Sequence, residues 1–314
     1  MDSPSQLILR PEIEIPELPR FSPLPAVDPE FSEVIAGFVR ETRLDEMCPA
    51  ARNPDKYDEW SSVCVAELSD LAAPLVGGWK EQNFIYPAGA YFQYIVGECV
   101  RQIIEGEFAF ETALTIKEHN IRHDPVLGAG QQITVAEALR LACHIPDAAA
   151  ANEIIDLVDR ERASALMRAL GCAGSDITRK FLPREFEDAA YQFSPGTYSC
   201  ALHFVTFLWA VETGAIGGGR GRALIKAILA QGPLADLRFR SGLPDSASLY
   251  GKSGEWGTFT SEAAIVEQGP LRYAIAVLAP IPTEVGSPRL AHFARLVHEH
   301  LGERVASRAV GSGR

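Results

Sequence analysis

Apolar residues recur every three or four positions over much of the chain, which is the spacing of amphipathic helices. The clearest example lies in residues 86–106. Pro87 suits the entry to a helix, because the N–H that proline lacks has no helical partner there. The apolar face that follows is wide, so the pattern predicts a buried helix. Its members are Tyr91, Phe92, Ile95, Val96, Cys99, Val100 and Ile103.

The same periodicity predicts helices near both ends of the chain and between them. Residues 28–44 carry apolar side chains on one face, and residues 288–301 form the last predicted helix. Thr134 and Glu137 match a capping box, so a helix is expected to begin at residue 135 and to end near residue 144. The remaining predicted helices are residues 152–158, 161–170, 199–212 and 222–231.

Prolines and glycines interrupt these patterns at three places. Residues 178–197 have little periodicity and predict a long loop, and residues 214–221 predict a flexible break. Gly77 and Gly78 predict a turn. Residues 1–27 are rich in proline and acid, which predicts an N-terminal arm that is extended or disordered.

Strands are predicted near both ends of the chain. Residues 60–68 form a β-branched run typical of a buried strand. Further strands are expected at residues 247–252, 258–267 and 272–278. Strands at both ends with helices between them predict an α+β fold, an antiparallel sheet flanked by the terminal helices plus a helical lobe.

We therefore expect a single domain in residues 28–314. Its sheet region is predicted to comprise about residues 28–86 and 233–314, and its helical lobe about residues 87–232. The hydrophobic share of 47% is enough for a full core.

Composition limits the partners and the compartment. A net charge of −12 argues against nucleic acid, because binding phosphates requires a positive surface. No run of eighteen apolar residues predicts a membrane span, and the first residues have no secretory pattern, so we expect a cytoplasmic protein. The cysteines have no metal-binding spacing and predict buried reduced thiols, with no metal and no cofactor. They are Cys48, Cys64, Cys99, Cys143, Cys172 and Cys200.

Five motifs in order resemble those of class A β-lactamases and penicillin-binding proteins. The resemblance extends from about residue 60 to the last helix and implies a β-lactamase/transpeptidase-like fold. The motifs are Tyr86-Pro87-Ala88-Gly89, Arg101-Gln102-Ile103-Ile104-Glu105-Gly106, Ala151-Asn152-Glu153-Ile154-Ile155, Arg240-Ser241-Gly242-Leu243-Pro244 and Lys252-Ser253-Gly254.

The resemblance also shows where the chain departs from the family. Counting back from Arg101 places Gly89 at the position of the nucleophilic serine and Phe92 at that of the following lysine. Pro146-Asp147-Ala148 stands where the family has Ser-Asp-Asn, whereas Lys252-Ser253-Gly254 matches the family's Lys-Thr/Ser-Gly. Thr178-Arg179 resembles the entry to the Ω loop, but neither Glu185 nor Glu187 is assigned the role of the deacylating glutamate.

These substitutions exclude the ordinary serine mechanism, because acyl transfer requires a nucleophile with a base within reach. The resemblance implies that the N–H groups of Gly89 and Glu255 retain an oxyanion hole. Candidate catalytic residues are Lys252, Glu255, Asp147 and His144. Candidate substrate-binding residues are Gly89, Tyr91, Phe92, Pro146, Ser253, Gly254 and Trp256.

Each candidate also has a structural interpretation. Lys252 is equally suited to an ion pair, Asp147 to a structural hydrogen bond, and Tyr91 to the core. Glu255 is also compatible with a solvent-facing position, and His144 with a helix end.

Three functions follow as hypotheses. The favoured one is a non-hydrolytic biosynthetic enzyme of the lyase, isomerase or cyclase type. It would act without a covalent intermediate on a small carbonyl- or carboxylate-containing metabolite. The alternative is a catalytically inactive ligand-binding or scaffold protein. A weaker third is a hydrolase that activates water directly. The sequence leaves the oligomeric state open.

Overall fold

The structure is a computed structural model, and it describes residues 18, 21, 24–46, 60–121, 126–145, 147–231 and 238–311. The predicted α+β fold is confirmed. The strands are β1 (Ser62–Glu67), β2 (Leu75–Trp79), β3 (Ala113–Thr115), β4 (Gln132–Thr134), β5 (Ala230–Gln231), β6 (Ser248–Trp256), β7 (Phe259–Gln268) and β8 (Leu271–Ala279). The helices are α1 (Pro29–Glu41), α2 (Phe92–Glu105), α3 (Val135–His144), α4 (Ala148–Val158), α5 (Arg160–Ala169), α6 (Ala201–Glu212), α7 (Gly218–Leu229), α8 (Phe239–Gly242) and α9 (Thr283–Gly311).

Six strands form one antiparallel sheet in the order β2-β1-β8-β7-β6-β5, and β3 pairs with β4 in a small second sheet. The central strands are apolar on both faces because each face is covered. In β8, Tyr273 and Ile275 pack with α1 and α9, whereas the alternate residues Ala274 and Ala276 pack with the helical lobe. This alternation follows from the two-residue period of a strand. The sheet thus separates two hydrophobic cores.

The two terminal helices, α1 and α9, lie where the sequence predicts helices. Asp28 caps α1, since its carboxylate accepts the N–H of Phe31 at 2.7 Å. The capping box of Thr134 and Glu137 is present at the start of α3. Helix α9 is longer than predicted in both directions, with Pro288 in its first turns.

One glycine prediction was wrong, and a second was correct only in part. Gly77 and Gly78 lie inside β2, paired with Val65 and Cys64 of β1, and do not form a turn. A Cβ at Gly77 would lie 2.6 Å from the ring of Phe31, so the missing side chain allows α1 to pack on the sheet. The break predicted at residues 214–221 is shorter than expected, because α7 begins at Gly218.

The helical lobe is built around α2, in which every residue from Phe92 to Ile103 is buried. Gly106 ends the helix in the left-handed conformation with φ 83°, as its position after the apolar run suggests. The predicted long loop at residues 178–197 is present, with one short 3₁₀ turn, Arg184–Phe186. Most of the predicted N-terminal arm lies outside the described residues. Leu18, Phe21 and Leu24 are half-buried against the lobe.

None of the helices in the described part of the chain combines the length and the apolar character that a membrane crossing requires.

Candidate functional site

The turn that precedes α2 lies against strand β6. It is a 3₁₀ turn, Ala88–Tyr91, and Ala88 has φ 47°, a left-handed conformation that is uncommon for a residue with a side chain. A Cβ on Gly254 of β6 would lie 2.4 Å from the backbone nitrogens of both Gly89 and Ala90. Only glycine at position 254 therefore lets the strand approach the turn so closely. We call residues 87–91 the elbow.

Gly89 leaves space at this elbow. It is half-exposed, and a Cβ added to it would lie 3.6 Å from Gly254 Cα and Ser253 O, which is ordinary van der Waals contact. A side chain would fit, but none is present. Moreover, no lysine in the chain follows a serine, threonine or cysteine by three residues. The Ser-x-x-Lys pattern of serine acyl transfer is thus missing from the whole sequence.

Aromatic rings fill the region behind the elbow. Phe92 is 1% exposed, and the ring of Phe181 lies 6.2 Å from it, centroid to centroid. Tyr91 stacks on the other side of this cluster, with its centroid 4.9 Å from that of Phe181. The Tyr91 hydroxyl donates to Arg179 O at 3.0 Å, and burial raises the pKa of Tyr91 well above its ordinary value. The position of Tyr91 therefore agrees with its structural interpretation, in which it belongs to the core.

Sequence reasoning missed Phe181, which lies in the 178–197 loop. Its backbone N–H donates to Asn152 Oδ1 at 2.8 Å, and this bond ties the loop to α4. The contact depends on two segments about thirty residues apart, so no local pattern indicated it. An aromatic ring is thus the side chain that this loop places against Phe92.

The two glutamates of the loop, Glu187 and Glu185, differ in their surroundings. Glu187 is buried, and its carboxylate contacts the guanidinium groups of Arg160 and Arg179, each at 3.2 Å, and the N–H of Lys180 at 2.8 Å. Burial alone would raise the pKa of Glu187, but these partners lower it below its ordinary value. Glu185 is exposed.

Asp147 is a helix cap. One carboxylate oxygen accepts the N–H of Ala150 in the first turn of α4, and the other accepts the N–H of Val126, both at 2.8 Å. The side chain is buried and fully engaged by backbone donors. This arrangement corresponds to the structural interpretation of Asp147. Pro146, the other predicted residue of this segment, lies outside the described residues.

Lys252 is buried in β6, with 8% of the residue exposed. Burial raises the pKa of Cys143 to about 12, and the positive charge of Lys252 opposes this rise. The same charge contributes, after desolvation, to the lowered pKa of His144 at the end of α3. The negative end of a helix dipole stabilises a cation there. His144 is exposed, and its pKa is lowered mainly by desolvation, against a hydrogen bond with the backbone of Ile228.

Glu255 forms an ion pair with Arg238. The Glu255 side chain is 61% exposed, whereas that of Arg238 is 6% exposed, so the carboxylate neutralises a guanidinium at the protein's edge. The solvent-facing and the catalytic interpretations both omitted this partner. Arg238 precedes the motif that begins at Arg240 and had no signal of its own.

Tyr86, the residue before the elbow, contacts two other aromatic rings. The ring of Tyr86 is edge-on to Phe259 at 5.7 Å and to Tyr198 at 6.3 Å, and burial raises the pKa of Tyr86. Trp256 lies near the end of β6 and is 63% exposed. Ser253 is half-exposed beside Gly254.

The structure therefore brings together Gly89, Ser253 and Gly254, and it packs the rings of Tyr91 and Phe92 with the ring of Phe181. It commits Asp147 and Glu255 to structural partners. Across the described ranges, no three histidine, cysteine or carboxylate side chains are grouped so that they could hold a metal ion.

Comparisons with known proteins agree with this architecture. The model of the beta-lactamase enzyme family matches residues 55–301. Among solved structures, PBP-A is 18% identical with a TM-score of 0.70 and covers 91% of this chain and 100% of its own. A beta-lactamase from Sphaerobacter thermophilus is 16% identical with a TM-score of 0.71, covering 85% and 97%.

An ancestral class A beta-lactamase is similar as well, at 18% identity with a TM-score of 0.69, covering 86% of this chain and 99% of its own. At these identities the similarity concerns the fold. No curated protein matches the sequence.

Proposed function

The chain belongs to the beta-lactamase enzyme family, and we propose that it uses the family's cleft without forming an acyl-enzyme. In this proposal the cleft binds a small carbonyl- or carboxylate-containing molecule non-covalently. The observation that carries the proposal is the elbow itself. Its backbone is held in place by β6, while Gly89 has no nucleophile and Phe92 has no base.

The surroundings also favour non-covalent binding over hydrolysis by activated water. A general base must lie within hydrogen-bond reach of the water that it activates. Glu187 is bound by Arg160, Arg179 and the N–H of Lys180, and Asp147 accepts two backbone N–H groups. In the loop, the ring of Phe181 lies 6.2 Å from that of Phe92, centroid to centroid.

The ligand class follows from what the cleft offers. The N–H groups of Gly89 and Glu255 would polarise a carbonyl or bind a carboxylate, as the family resemblance implies. Lys252 adds a positive charge near this region. The rings of Tyr86 and Phe259 favour a ligand with an apolar body.

Lys252 also favours a second candidate function, a non-hydrolytic biosynthetic enzyme of the lyase, isomerase or cyclase type. A buried ammonium near a bound carbonyl can stabilise developing negative charge or donate a proton. Ser253 and Gly254 follow it in the same strand. In this version Lys252 is the acid or the electrostatic group, and Glu255 and Asp147 keep their structural partners.

Mass spectrometry of the intact protein tests the absence of acylation. We expect no adduct after incubation with penicillin G or with a fluorophosphonate probe. The matched variant is Gly89→Ser, for which the elbow has space. It supplies a hydroxyl without a base, so we expect at most very slow acylation. A stable adduct on the unaltered chain would overturn the proposal, and rapid acylation of Gly89→Ser would show that a base faces the elbow.

Binding and catalysis are separated by variants of Lys252. Benzoate and benzaldehyde serve as the carboxylate and carbonyl probes, with binding followed by calorimetry. We expect Lys252→Met to weaken benzoate binding about tenfold or more, and Lys252→Arg to retain much of it. Unchanged affinity in Lys252→Met would remove this lysine from the proposed site. If metabolite turnover is found, its loss in Lys252→Met with binding retained would favour the enzyme.

A further inference from the structure

Two tryptophans lie side by side at one edge of the sheet, far from the elbow. Trp60 stands just before β1, and Trp79 is the last residue of the edge strand β2. Their rings are edge-on, with centroids 6.2 Å apart. Three strands separate β2 from β6, so at the usual spacing of neighbouring strands this edge is roughly 19 Å from the strand that carries Gly254.

A cation occupies the space that the two rings share. The ammonium of Lys80 lies 4.7 Å from the centroid of the Trp60 ring and 5.7 Å from that of Trp79. Both distances are within the roughly 6 Å at which a ring face attracts a cation. Lys80 is exposed, whereas both tryptophans are half-buried. The two rings thus form the walls of a cation site, and an exposed side chain fills it.

The turn after β2 holds these three residues in position. Lys80 has φ 46°, a left-handed conformation that is uncommon for a residue with a side chain. Asn83 closes the turn, since its N–H donates to Lys80 O at 2.9 Å and its side-chain amide donates to Trp60 O at 2.7 Å. On the strand side, Trp79 is paired with Val63 of β1. The walls are therefore positioned before a ligand binds, which reduces the entropic cost of binding.

The site holds a cation through ring faces alone. Lys226 also faces a ring, 4.4 Å from the centroid of Tyr250. Its charge is shared with two carboxylates, Glu212 at 2.6 Å and Glu267 at 2.8 Å. In the described part of the chain, by contrast, no carboxylate pairs with Lys80. A primary ammonium has three N–H donors that require acceptors. A quaternary ammonium has no such donor, and aromatic faces are the usual means of recognising it.

From these observations we propose that Trp60 and Trp79 form a binding site for a small quaternary ammonium ligand of the choline type. Lys80 occupies the site in the absence of the ligand and moves aside when the ligand binds. The net charge of −12 also favours the approach of a cation. The site is separate from the cleft, so it does not depend on the function proposed above.

NMR titration of the nitrogen-15-labelled full chain with choline tests the proposal through the indole N–H signals of its four tryptophans. The matched probe is 3,3-dimethylbutan-1-ol, which has the shape of choline but a carbon in place of the charged nitrogen. We expect saturable shifts of the two signals that Trp60→Phe and Trp79→Phe remove. The affinity for choline should be at least about fivefold higher than that for the alcohol.

Two further variants change the site in opposite directions. Lys80→Ala removes the internal competitor without altering a buried side chain, and it should strengthen choline binding about tenfold. Trp60→Leu removes one wall and should weaken choline binding about fivefold. The control is Arg220→Ala, which removes an exposed cation elsewhere and should leave the affinity unchanged.

Four results would overturn the proposal. They are the absence of saturable choline binding to a folded Lys80→Ala variant, equal affinity for choline and the neutral alcohol, full affinity in Trp60→Leu, and shifts confined to Trp209 and Trp256. Cosedimentation with phosphatidylcholine vesicles identifies the source of the head group. Binding to the vesicles as well as to choline would support a lipid ligand, and binding to choline alone would support a free small molecule.

Discussion

The elbow and the loop of residues 178–197 pack against each other, yet they use opposite kinds of side chain. The elbow and the first residue of α2 carry no charge, and Phe92 is in van der Waals surroundings. The loop buries a network of charges, in which Lys180 bonds Asp156 Oδ1 at 2.7 Å and Asn120 Oδ1 at 3.1 Å. Arg160 pairs with Glu187 in the same network.

The difference shows that ion pairs and hydrogen bonds hold the loop in place, whereas close packing holds the elbow. Buried charges require fixed partners, because an unpaired one is strongly destabilising. The network therefore fixes the path of the loop. What the loop then presents to the elbow is the ring of Phe181, so a polar framework positions an apolar surface.

The largest expected effect comes from breaking the network. Glu187→Leu removes the buried carboxylate that pairs with both Arg160 and Arg179 and leaves Arg160 only its contact with Asp188. We expect the free energy of unfolding to fall by about 3 kcal/mol. The control is Glu185→Leu in the same loop, which is exposed and should change stability by less than about 0.5 kcal/mol. Denaturant unfolding measures both. Equal effects would show that the network does not hold the loop.

At the elbow, stability should instead depend on the volume of the side chains. Gly254→Ala places a Cβ 2.4 Å from two backbone nitrogens, and we expect a loss of about 1–3 kcal/mol, as for other overpacked sites. Gly89→Ala places its Cβ 3.6 Å from its neighbours and should cost far less. Thermal unfolding compares the two variants. Similar losses from both would contradict the close approach of β6 to the elbow.

A smaller effect is expected where the two regions meet. Tyr91→Phe removes the hydrogen bond to Arg179 O but keeps the stacking on Phe181, and we expect a loss of about 1 kcal/mol. Tyr91→Leu removes both contacts and should cost more. If the two variants were equally stable, the stack would contribute nothing to the contact between elbow and loop.

The smallest expected effect is the loss of folding stability at acidic pH. Burial alone would raise the pKa values of Glu187 and Asp156, but their cationic and hydrogen-bonding partners lower both. The folded state therefore binds these protons more weakly than the unfolded state. The resulting stability is fully present above the ordinary values of 4.5 and 3.8 and is lost as pH falls through the lowered ones.

Urea unfolding between pH 6 and pH 2 measures this loss. We expect Asp156→Asn to be less stable than the unaltered chain at pH 6 and to lose less stability on acidification. Gly89→Ala should follow the unaltered curve. A parallel curve for Asp156→Asn would mean that this carboxylate contributes nothing to the acid sensitivity.

Much of the fold was predictable because its signals are local. The apolar face of α2, the capping box at Thr134 and the β-branched run of β1 each depend on a few neighbouring residues. The glycines of β2 were misread because their reason is distant. Gly77 accommodates Phe31, which is 46 positions earlier in the chain.

The residues of the candidate site fall into the same two groups, those found from local motifs and those whose partners are distant in the chain. Ordered motifs in the sequence predicted that Gly89, Phe92 and Lys252-Ser253-Gly254 belong to one site, and the structure places Gly89 against Ser253 and Gly254. The sequence left Asp147, Glu255 and Tyr91 with two interpretations each. Their partners are Val126, Arg238 and Phe181, and no local pattern links a residue to a partner that only folding brings near.

The sequence by itself determined most of the order of the elements and placed Gly89 and Phe92 in the motif before α2, because periodicity and residue identity can be read along the chain. Only the tertiary structure decided which charges are committed to structural partners and which ring packs against Phe92. The physical reason is that hydrogen bonds, ion pairs and packing act over a few ångströms in space, whatever the distance along the chain.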